Sequence, residues 1–428
     1  MEHAAHLEQW LEWTYEGNAR ERRLAIETLA GNPDLLNEDP WLACAVGDIS
    51  VIRKALSADA GWANRPGGPL GMPPLVAVTH SMLILEPEFG ESILHSARFL
   101  LAHGADVNCS WTNPKWPDSP LSALYGAAGR THHELMLKIL LDAGADPNDN
   151  ESLYHSLESR GSTCTRLLLD RGARVDGTNA IARAIDYGKL EDLQLMLQHD
   201  GVARERPWIH HAILRGRPFE YVTTLVRAGA DLRAKDRDGN SLYRYAQVHG
   251  RSDIVEILHA AGIEEPLTEE EQFVAACARG DYASARHIRE ALPDIFSRLT
   301  CRQLQALPEQ AGTGNERAVR TMLGLGWPVD IKAAWSATAL NLAVYRGDAS
   351  MVHRLLDSGA DWRIEHGFGD NVWGTLAHAS RNDIEDPSAP RNYLGCAKAL
   401  IAHNVPTPDR KYKFSDELDA YLEQIRFA

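Results

Sequence analysis

The sequence predicts an all-α protein in which short helix pairs stack side by side as a solenoid. A nine-residue phrase recurs along the chain at intervals of thirty-odd residues, and a recurrence of that length is typical of repeat architectures. Its copies read LLAHGADVN (Leu100–Asn108), LLDAGADPN (Leu140–Asn148), LLDRGARVD (Leu168–Asp176), LVRAGADLR (Leu225–Arg233) and LLDSGADWR (Leu355–Arg363). At 428 residues the chain is also too long for one ordinary compact core, as expected of an extended array.

Each unit contains a short apolar helix, a glycine turn and a second, amphipathic helix. In DASMVHRLLDSG the residues Met351, Val352, Leu355 and Leu356 recur at helical spacing. The glycine that follows, Gly359, can adopt the left-handed conformation that ends a helix. Because one such pair cannot bury its apolar face alone, stacking of many pairs is needed to form a continuous core.

One complete period lies in DRDGNSLYRYAQVHGRSDIVEILHAAG (Asp236–Gly262), and the phrase TALNLAVYRG begins another at Thr338. This period resembles the ankyrin repeat, whose pattern is D-x-x-G-x-T-P-L-H-L-A-x-x-x-G-H-x-x-I-V-x-L-L-L-x-x-G-A-D. The resemblance extends from about Asp39 to Pro406 in about eleven units, several of which have lost the threonine-proline pair. It implies a hairpin finger after each G-A-D phrase, and a concave face lined by the fingers and first helices.

The ends and one interruption define the predicted domain organisation. Trp10 and Trp13 form a buried stripe in the first residues, Ser415 begins a final helix, and Pro266 interrupts the array between them. Thr268 and Glu271 have the spacing of a capping box that starts a new helix after the interruption. The predicted parts are an N-terminal helical cap (1–38), a first lobe of repeats (39–263), a degenerate junction (264–303), a second lobe (304–406) and a C-terminal capping helix (407–428).

Charge and cysteine usage exclude several classes of function. A formal net charge of −15 disfavours binding to nucleic acids or anionic membranes, because phosphates repel such a surface. The six cysteines never form a C-x-x-C pair, and no signal peptide or membrane-length apolar run is visible. We therefore expect a cytoplasmic protein with reduced thiols, and the arginine-rich, lysine-poor composition indicates a bacterial one. We also expect a monomer.

Motifs for catalysis and metal binding are missing. The HHE triplet at His132–Glu134 would need a histidine at Leu137 to form a zinc motif. No phosphate-binding loop or nucleophile motif occurs, so we predict no cofactor, no metal and no catalytic residue. A binding role is therefore favoured over an enzymatic one.

Aromatic and basic residues in the finger segments are the candidate binding residues. The finger CSWTNPKWPDSP (Cys109–Pro120) carries two tryptophans and three prolines where a short polar turn is expected. Indole and guanidinium groups concentrate in binding hot spots, although long fingers can also use tryptophan to pack against each other. The predicted concave and finger residues are Trp62, Arg65, Trp111, Lys115, Trp116, Trp208, His210, Lys235, Arg237, Arg244, Trp335, Asn341, Trp362, His366 and Trp373.

Two functions remain open at this stage. The first is a protein-interaction module that binds an acidic or extended segment of another protein, as an inhibitor, immunity protein or scaffold in bacteria. The alternative is a small-molecule-binding protein or atypical enzyme with a tryptophan-lined pocket beneath the long fingers. For His210, the family pattern implies a structural hydrogen bond to the turn.

Overall fold

The computed structural model describes residues 2–114, 117–198, 202–204, 206–382, 388–408 and 412–426. They form an all-α fold, as predicted. The first helices are α1 (Glu2–Glu16), α2 (Ala19–Gly31), α3 (Pro40–Val46), α4 (Ile49–Ala58), α5 (Pro74–Thr79), α6 (Gly90–Ala102), α7 (Ala123–Tyr125), α8 (Glu134–Asp142), α9 (Ser152–Ser156), α10 (Thr163–Asp170), α11 (Ala180–Asp186) and α12 (Leu190–Met196). The remaining helices are α13 (Trp208–Leu214), α14 (Phe219–Arg227), α15 (Leu242–Val248), α16 (Ser252–Ala260), α17 (Glu269–Ala278), α18 (Tyr282–Ala291), α19 (Ile295–Arg298), α20 (Cys301–Leu304), α21 (Ala306–Gly312), α22 (Glu316–Gly324), α23 (Ala339–Arg346), α24 (Ala349–Asp357), α25 (Val372–Arg381), α26 (Tyr393–Ala402) and α27 (Asp416–Arg426).

The other regular elements are short. Strands β1 (Ser110–Thr112) and β2 (Pro120–Ser122) pair antiparallel as a hairpin in the finger that the sequence singled out. Single 3₁₀ turns cover Ala60–Asn64, Met82–Leu85, Val202–Arg204 and Ala334–Ser336, and a π-helical turn covers Gly126–Arg130. Along the described residues, no helix combines the length and the apolar character needed to cross a membrane.

The pair formed by α23 and α24 shows why each unit folds as a helix pair. Thr338 and Asn341 form a capping box at the start of α23, and each side chain accepts the other's backbone N–H. Gly347 ends that helix with φ of +68°, a conformation that glycine adopts without strain. Asp348 then caps α24 by accepting from the Met351 N–H at 3.0 Å, so the chain reverses direction within two residues.

Side chains at the turns within the pairs connect each pair to the preceding one. Arg251, between α15 and α16, donates from Nη1 to the carbonyl of Arg217 at 2.9 Å. Asn315 bonds the carbonyl of Ala278 at 3.1 Å in the same way. Further donations of this kind join Arg217 to Asp186 O and Arg346 to Gly312 O. We call this series the turn ladder; it satisfies carbonyls that a helix end leaves without an intrahelical partner.

A second series of hydrogen bonds joins the fingers and explains the final asparagine of the G-A-D-x-N phrase. The Asn108 side chain accepts from the Asp146 N–H at 2.8 Å, and the Asn148 side chain accepts from the Arg174 N–H at 2.9 Å. Asn64 does the same for Asp106, although it lies outside any G-A-D phrase. The asparagine therefore fixes the base of one finger against the next.

The chain divides into two compact units. Unit 1 comprises Met1–Arg183 and Glu191–Met196, and unit 2 comprises Ala184–Leu190 and Leu197–Ala428. In unit 1 Trp10 is buried and donates from Nε1 to the carbonyl of Ala25 at 3.1 Å. In unit 2 the core runs without a break from Phe273 to Leu422.

Two features of unit 2 bear on its stability. Thr268 and Glu271 form the capping box that their spacing predicts, and α17 begins directly after it.

Asp186 accepts from His211 Nε2 at 2.7 Å and from Arg215 Nε at 2.6 Å. Burial raises the pKa of the Asp186 carboxyl, but these two donors outweigh it and hold that pKa below its usual value.

Candidate functional site

Three of the predicted binding tryptophans are buried and pack their own units. The ring of Trp62 meets that of Trp41 edge to face, with centroids 5.7 Å apart. Trp208 donates from Nε1 to the carbonyl of Val202 at 2.8 Å, beneath its own finger. Trp373 is 2% exposed and donates to the carbonyl of Pro406 at 3.0 Å. These rings stabilise fingers and core, so no partner can reach their faces.

Trp111 lies in the lengthened finger, on strand β1. It is half-buried, and its Nε1 donates to the carbonyl of Leu70 in the preceding finger at 2.8 Å. The ring therefore holds two neighbouring fingers of unit 1 together. Lys115 and Trp116, predicted in the same finger, lie outside the described residues.

The predicted basic residues differ in what they already bind. Arg65 contacts Asp59 at 2.5 Å, and Arg244 forms ion pairs of 2.9 Å with both Glu265 and Glu271. The charge of Arg244 thus joins α15 to the segment that begins α17. Lys235 and Arg237 are exposed on a single finger of unit 2, whose base is closed by a bridge between Lys235 and Ser241.

His210 and Asn341 are buried, and neither lies on an accessible face. The ring of His210 packs against that of Tyr245, with centroids 5.0 Å apart. Burial lowers the pKa of His210, and the nearby Asp236 and the Asn240 backbone only partly oppose this. Asn341 is the capping-box partner of Thr338. Both residues lie within the repeat framework, and the hydrogen bond to the turn that the family pattern implies for His210 stays a prediction.

The two most exposed aromatic side chains of the described part of unit 2 meet at the tips of two adjacent fingers. Trp335 is 65% exposed and Phe368 is 75% exposed, and their rings stack with centroids 5.5 Å apart. His366 meets Phe368 edge to face at 5.8 Å. We call Trp335, His366 and Phe368 the aromatic patch. Trp362, from the same finger as His366, is half-buried and packs against the core of unit 2 instead.

Local backbone geometry holds the patch in solvent. The first finger carries Trp335 and Ser336 at φ of +59° and +53°, which is strained for residues other than glycine. A hydrogen bond of 2.9 Å from Ala333 N–H to Ala337 O closes this turn. The Trp335 carbonyl then accepts from the Gly367 N–H of the second finger at 2.5 Å. The main chain therefore positions both rings, without help from packing beneath them.

The second finger turns tightly around Phe368. His366 N–H donates to the Asp370 carbonyl at 2.9 Å, and Gly369, at φ of +76°, donates back to the His366 carbonyl at 2.9 Å. The Phe368 N–H donates to His366 Nδ1 at 3.2 Å, which requires that nitrogen to be unprotonated. Burial lowers the pKa of His366, and the nearby carboxylate of Asp370 only partly opposes this. At neutral pH the patch is therefore an uncharged surface of three rings.

Charged groups around the patch balance each other. Lys332 donates from Nζ to the carbonyl of Glu365 at 3.1 Å, and Arg363 pairs with Asp361 at 2.9 Å. No group of three His, Cys, Asp or Glu residues in the described part of the chain is arranged to hold a metal ion. The exposed rings suit recognition by apolar contact.

Two of the residues predicted from the sequence, Trp335 and His366, belong to the aromatic patch. Phe368, the third member of the aromatic patch, was not predicted. Its sequence signal is the triplet Gly367–Gly369, in which a single large apolar residue is flanked by glycines. Such a residue has neither helical nor strand neighbours to bury it, so exposure at a loop tip could have been inferred.

Unit 1 holds a polar cluster that the sequence also did not indicate. His155 lies between Glu151 and Glu158, at 3.2 and 2.8 Å, and its ring meets the edge of Tyr125 at 5.2 Å. Gly129, in the π-helical turn, makes room for both rings, because a Cβ there would lie 2.6 Å from His155 and 2.8 Å from Tyr125. Glu158 also forms an ion pair with Arg183.

The repeated helix pairs with their glycine turns, finger segments and linking hydrogen bonds define an ankyrin-repeat protein. The comparisons agree with this class. Over 158 residues, or 35% of this chain, it is 27% identical to Ankyrin repeat and SOCS box protein 6 of Homo sapiens and covers 32% of that protein. Over 250 residues, or 57% of the chain, it is 24% identical to E3 ubiquitin-protein ligase KEG of Arabidopsis thaliana and covers 13% of it.

The chain thus spans no more than about a third of these curated relatives. No family model matches it. Among solved structures, the human ASB11 ankyrin repeat domain matches 54% of this chain and 99% of that chain, with 20% identity and a TM-score of 0.25. We therefore base the fold class on the repeats of this chain.

Proposed function

We propose that this chain recognises a partner protein through the aromatic patch of unit 2, which binds an apolar side chain from an extended segment of the partner. The supporting observation is the exposure of Trp335 and Phe368, stacked on each other at the tips of adjacent fingers. A solvent-exposed pair of large rings is unfavourable in a free protein and is typical of an interaction site.

The magnitude of the exposed surface supports the same proposal. If each ring contributes about 200 Å² of surface, the exposed fractions amount to about 280 Å². At about 25 cal/mol per Å², complete burial by a partner would contribute about 7 kcal/mol before the costs of association. The main chain at Trp335 is held at a positive φ, so the position of its ring is fixed before a partner binds.

The aromatic patch indicates an apolar side chain on the partner, but it does not indicate the charge of the segment that carries this side chain. The sequence predicted an acidic segment from the basic finger residues, yet Arg65, Arg244 and Arg363 are already paired with carboxylates of this chain. Lys235 and Arg237 are the exposed basic pair in unit 2 that could supplement the patch. An acidic partner, a monomeric state and a bacterial inhibitor or scaffold role stay predictions.

The tryptophan-lined pocket of the alternative function gains no support from the structure. Trp62 and Trp373 are buried within separate units, and neither of the two cavities we describe has a tryptophan in its lining. One cavity, of about 520 Å³, lies between fingers of unit 1 and is lined by residues such as Asn150 and Tyr154.

The decisive experiment compares the full chain with the double variant Trp335→Ala/Phe368→Ala as bait in an affinity pull-down. Tyr282→Ala, which removes another partly exposed ring from unit 2, is the matched control. Proteins that bind wild type and the control but not the double variant are then purified and titrated against all three baits. We expect at least tenfold weaker binding to the double variant, with an unchanged circular dichroism melting curve. Equal affinity for all three baits would refute the proposal.

A further inference from the structure

The ring of His366 closes the turn that carries Phe368. The Phe368 N–H donates to His366 Nδ1 at 3.2 Å, and no group among the described residues bonds His366 Nε2. A neutral imidazole carries one proton, so Nε2 holds that proton here and Nδ1 is the basic nitrogen. A second proton can therefore add only to Nδ1, where it would face the Phe368 N–H and break this hydrogen bond.

Other histidines of the described chain use Nδ1 differently. Four of them bond a backbone carbonyl with Nδ1: His103, His132, His403 and His249, the last of which lines a cavity of about 320 Å³ in unit 2. In those bonds Nδ1 is the donor, and a second proton on Nε2 leaves them intact. His133 is like His366, since its Nδ1 accepts from the Met136 N–H at 3.2 Å, but it caps α8 in unit 1. Within the described part of unit 2, a ring nitrogen that accepts from a backbone N–H therefore occurs at the aromatic patch.

The surroundings of His366 favour its neutral form. Burial has the largest influence on the pKa of His366 and lowers it, the carboxylates of Asp370 and Glu365 oppose this, and His378 of α25 adds to it. The hydrogen bond from the Phe368 N–H acts in the same direction as burial, because it is made to the neutral ring.

The carboxylate nearest to His366 along the turn is already engaged. The Oδ1 atom of Asp370 accepts from the Asn371 N–H at 2.9 Å and from the Tyr412 hydroxyl. Glu365 is exposed to solvent. The other charged side chains of the two fingers are Asp330, Lys332, Asp361 and Arg363.

Protonation of His366 would change the aromatic patch in two ways. The turn would lose the bond to the Phe368 N–H, and Phe368 is flanked by two glycines, Gly367 and Gly369, that restrain the main chain little. Its ring would then be held less firmly against that of Trp335, on which it stacks at 5.5 Å. The patch would also gain a positive charge, which a partner's apolar side chain would have to desolvate.

We propose that the aromatic patch is a pH-sensitive binding surface, in which protonation of His366 opens the Phe368 turn and lowers the affinity for the partner. The inference rests on the partner recognition proposed for this patch. The neutral ring closes the turn, so the turn is closed at neutral pH and opens as pH falls through the pKa of His366, which lies below its usual value of about 6.5.

The first test follows the turn itself in the full chain, without a partner. Protein labelled with ¹⁵N at its eight phenylalanines is titrated from pH 7.5 to pH 5.0 by NMR, and the Phe368 amide signal is assigned by its absence in Phe368→Leu. We expect this signal to shift in a single titration step. A Phe368 amide that is independent of pH in wild type would overturn the proposal.

Two variants assign the titration to His366. In His366→Asn the shift should vanish, because an asparagine side chain can accept the same N–H and does not titrate. His287→Asn removes an exposed histidine from α18 in unit 2 and should leave the shift unchanged. A shift that persists in His366→Asn would assign it to another group and contradict the proposal.

The second test measures affinity at pH 7.5 and pH 5.0 for a partner that binds wild type but not Trp335→Ala/Phe368→Ala. The loss of affinity on acidification should be at least threefold greater for wild type and His287→Asn than for His366→Asn, because only molecules with the neutral ring bind well. Titration of the partner's own groups cancels, since all three proteins are measured against the same partner. Equal losses in the three proteins would overturn the proposal. If no partner depends on Trp335 and Phe368, the proposed function fails instead, and the NMR titration still decides whether the turn opens.

Discussion

Replacement of the buried Trp373 should be far more costly to stability than replacement of the exposed Trp335. The Trp373 side chain is 2% exposed and fits between the core and the segment that carries Pro406. Its removal in Trp373→Ala deletes about 150–250 Å² of buried apolar surface, worth about 4–6 kcal/mol at 25 cal/mol per Å². Measured tryptophan-to-alanine truncations in protein cores cost about 3–5 kcal/mol, so we expect a loss of about 4 kcal/mol.

The matched change Trp335→Gly should alter stability by less than about 1 kcal/mol. About a third of the Trp335 side chain is covered, mainly by Phe368, and loss of that stacking costs about 0.5–1.5 kcal/mol. Glycine, in turn, removes the strain of a side chain at φ of +59°, which is of order 1–2 kcal/mol. The two effects oppose each other and are of similar size.

Urea denaturation of the full chain, followed by circular dichroism at 222 nm, measures both changes. Because a chain of two units need not unfold in one step, the transition midpoints of each variant are compared with those of wild type at equal slope. A midpoint for Trp373→Ala that equals that of wild type would refute the assignment of this ring to the core. A large loss in Trp335→Gly would show that the patch stabilises the fold, and would weaken its assignment to partner binding.

Three further outcomes follow from the structure. Asp186→Asn should lower the unfolding free energy by about 2 kcal/mol at pH 7, because His211 and Arg215 lose the carboxylate that accepts their hydrogen bonds. Since the folded-state pKa of Asp186 is lowered, this stabilisation is complete above its unfolded pKa of about 4 and is lost as pH falls from there through the folded-state pKa; the difference between the melting curves of the two proteins should therefore shrink as pH is lowered below about 4. Gly126→Ala should cost about 2 kcal/mol, because the new Cβ would lie 2.4 Å from the ring of His80, whereas Gly161→Ala meets nothing within 4 Å and should be nearly neutral in the same urea titration. In native protein a maleimide should label Cys301 first, as intact mass spectrometry will show, and simultaneous labelling of buried thiols would contradict their burial. Burial raises the pKa of two of these thiols to about 12: Cys164 and Cys277.

The repeat fold could be predicted because its signals are local. The glycine that ends each second helix and the apolar spacing before it are set within a dozen residues, and the structure confirms both. The role of Asn108 could not be predicted in the same way, since its acceptor atom meets a backbone N–H of the next finger. A pattern within one unit does not reveal a hydrogen bond that needs two units.

The candidate site was predictable only in part, for a related reason. The sequence predicted both Trp335 and Trp373 in finger segments, whereas the structure places Trp373 near the start of helix α25. Their burial is decided by the neighbouring chain: Trp373 is covered by the segment of Pro406, whereas Trp335 stays 65% exposed and stacks only on Phe368 among the described aromatic rings. Exposure of a finger residue is thus a property of the stacked array.

The turn ladder also bears on how an array of this kind can change its length. Each pair that takes part contributes one donor, such as Arg251, to the pair before it, and offers one carbonyl, such as that of Arg217, to the pair after it. A gene duplication that inserts one whole unit would therefore bring both halves of a new bond and leave no polar group unmatched. Insertion of a whole unit therefore preserves the hydrogen bonds of the turn ladder. The array can gain units during evolution without compensating changes in the units that are already present.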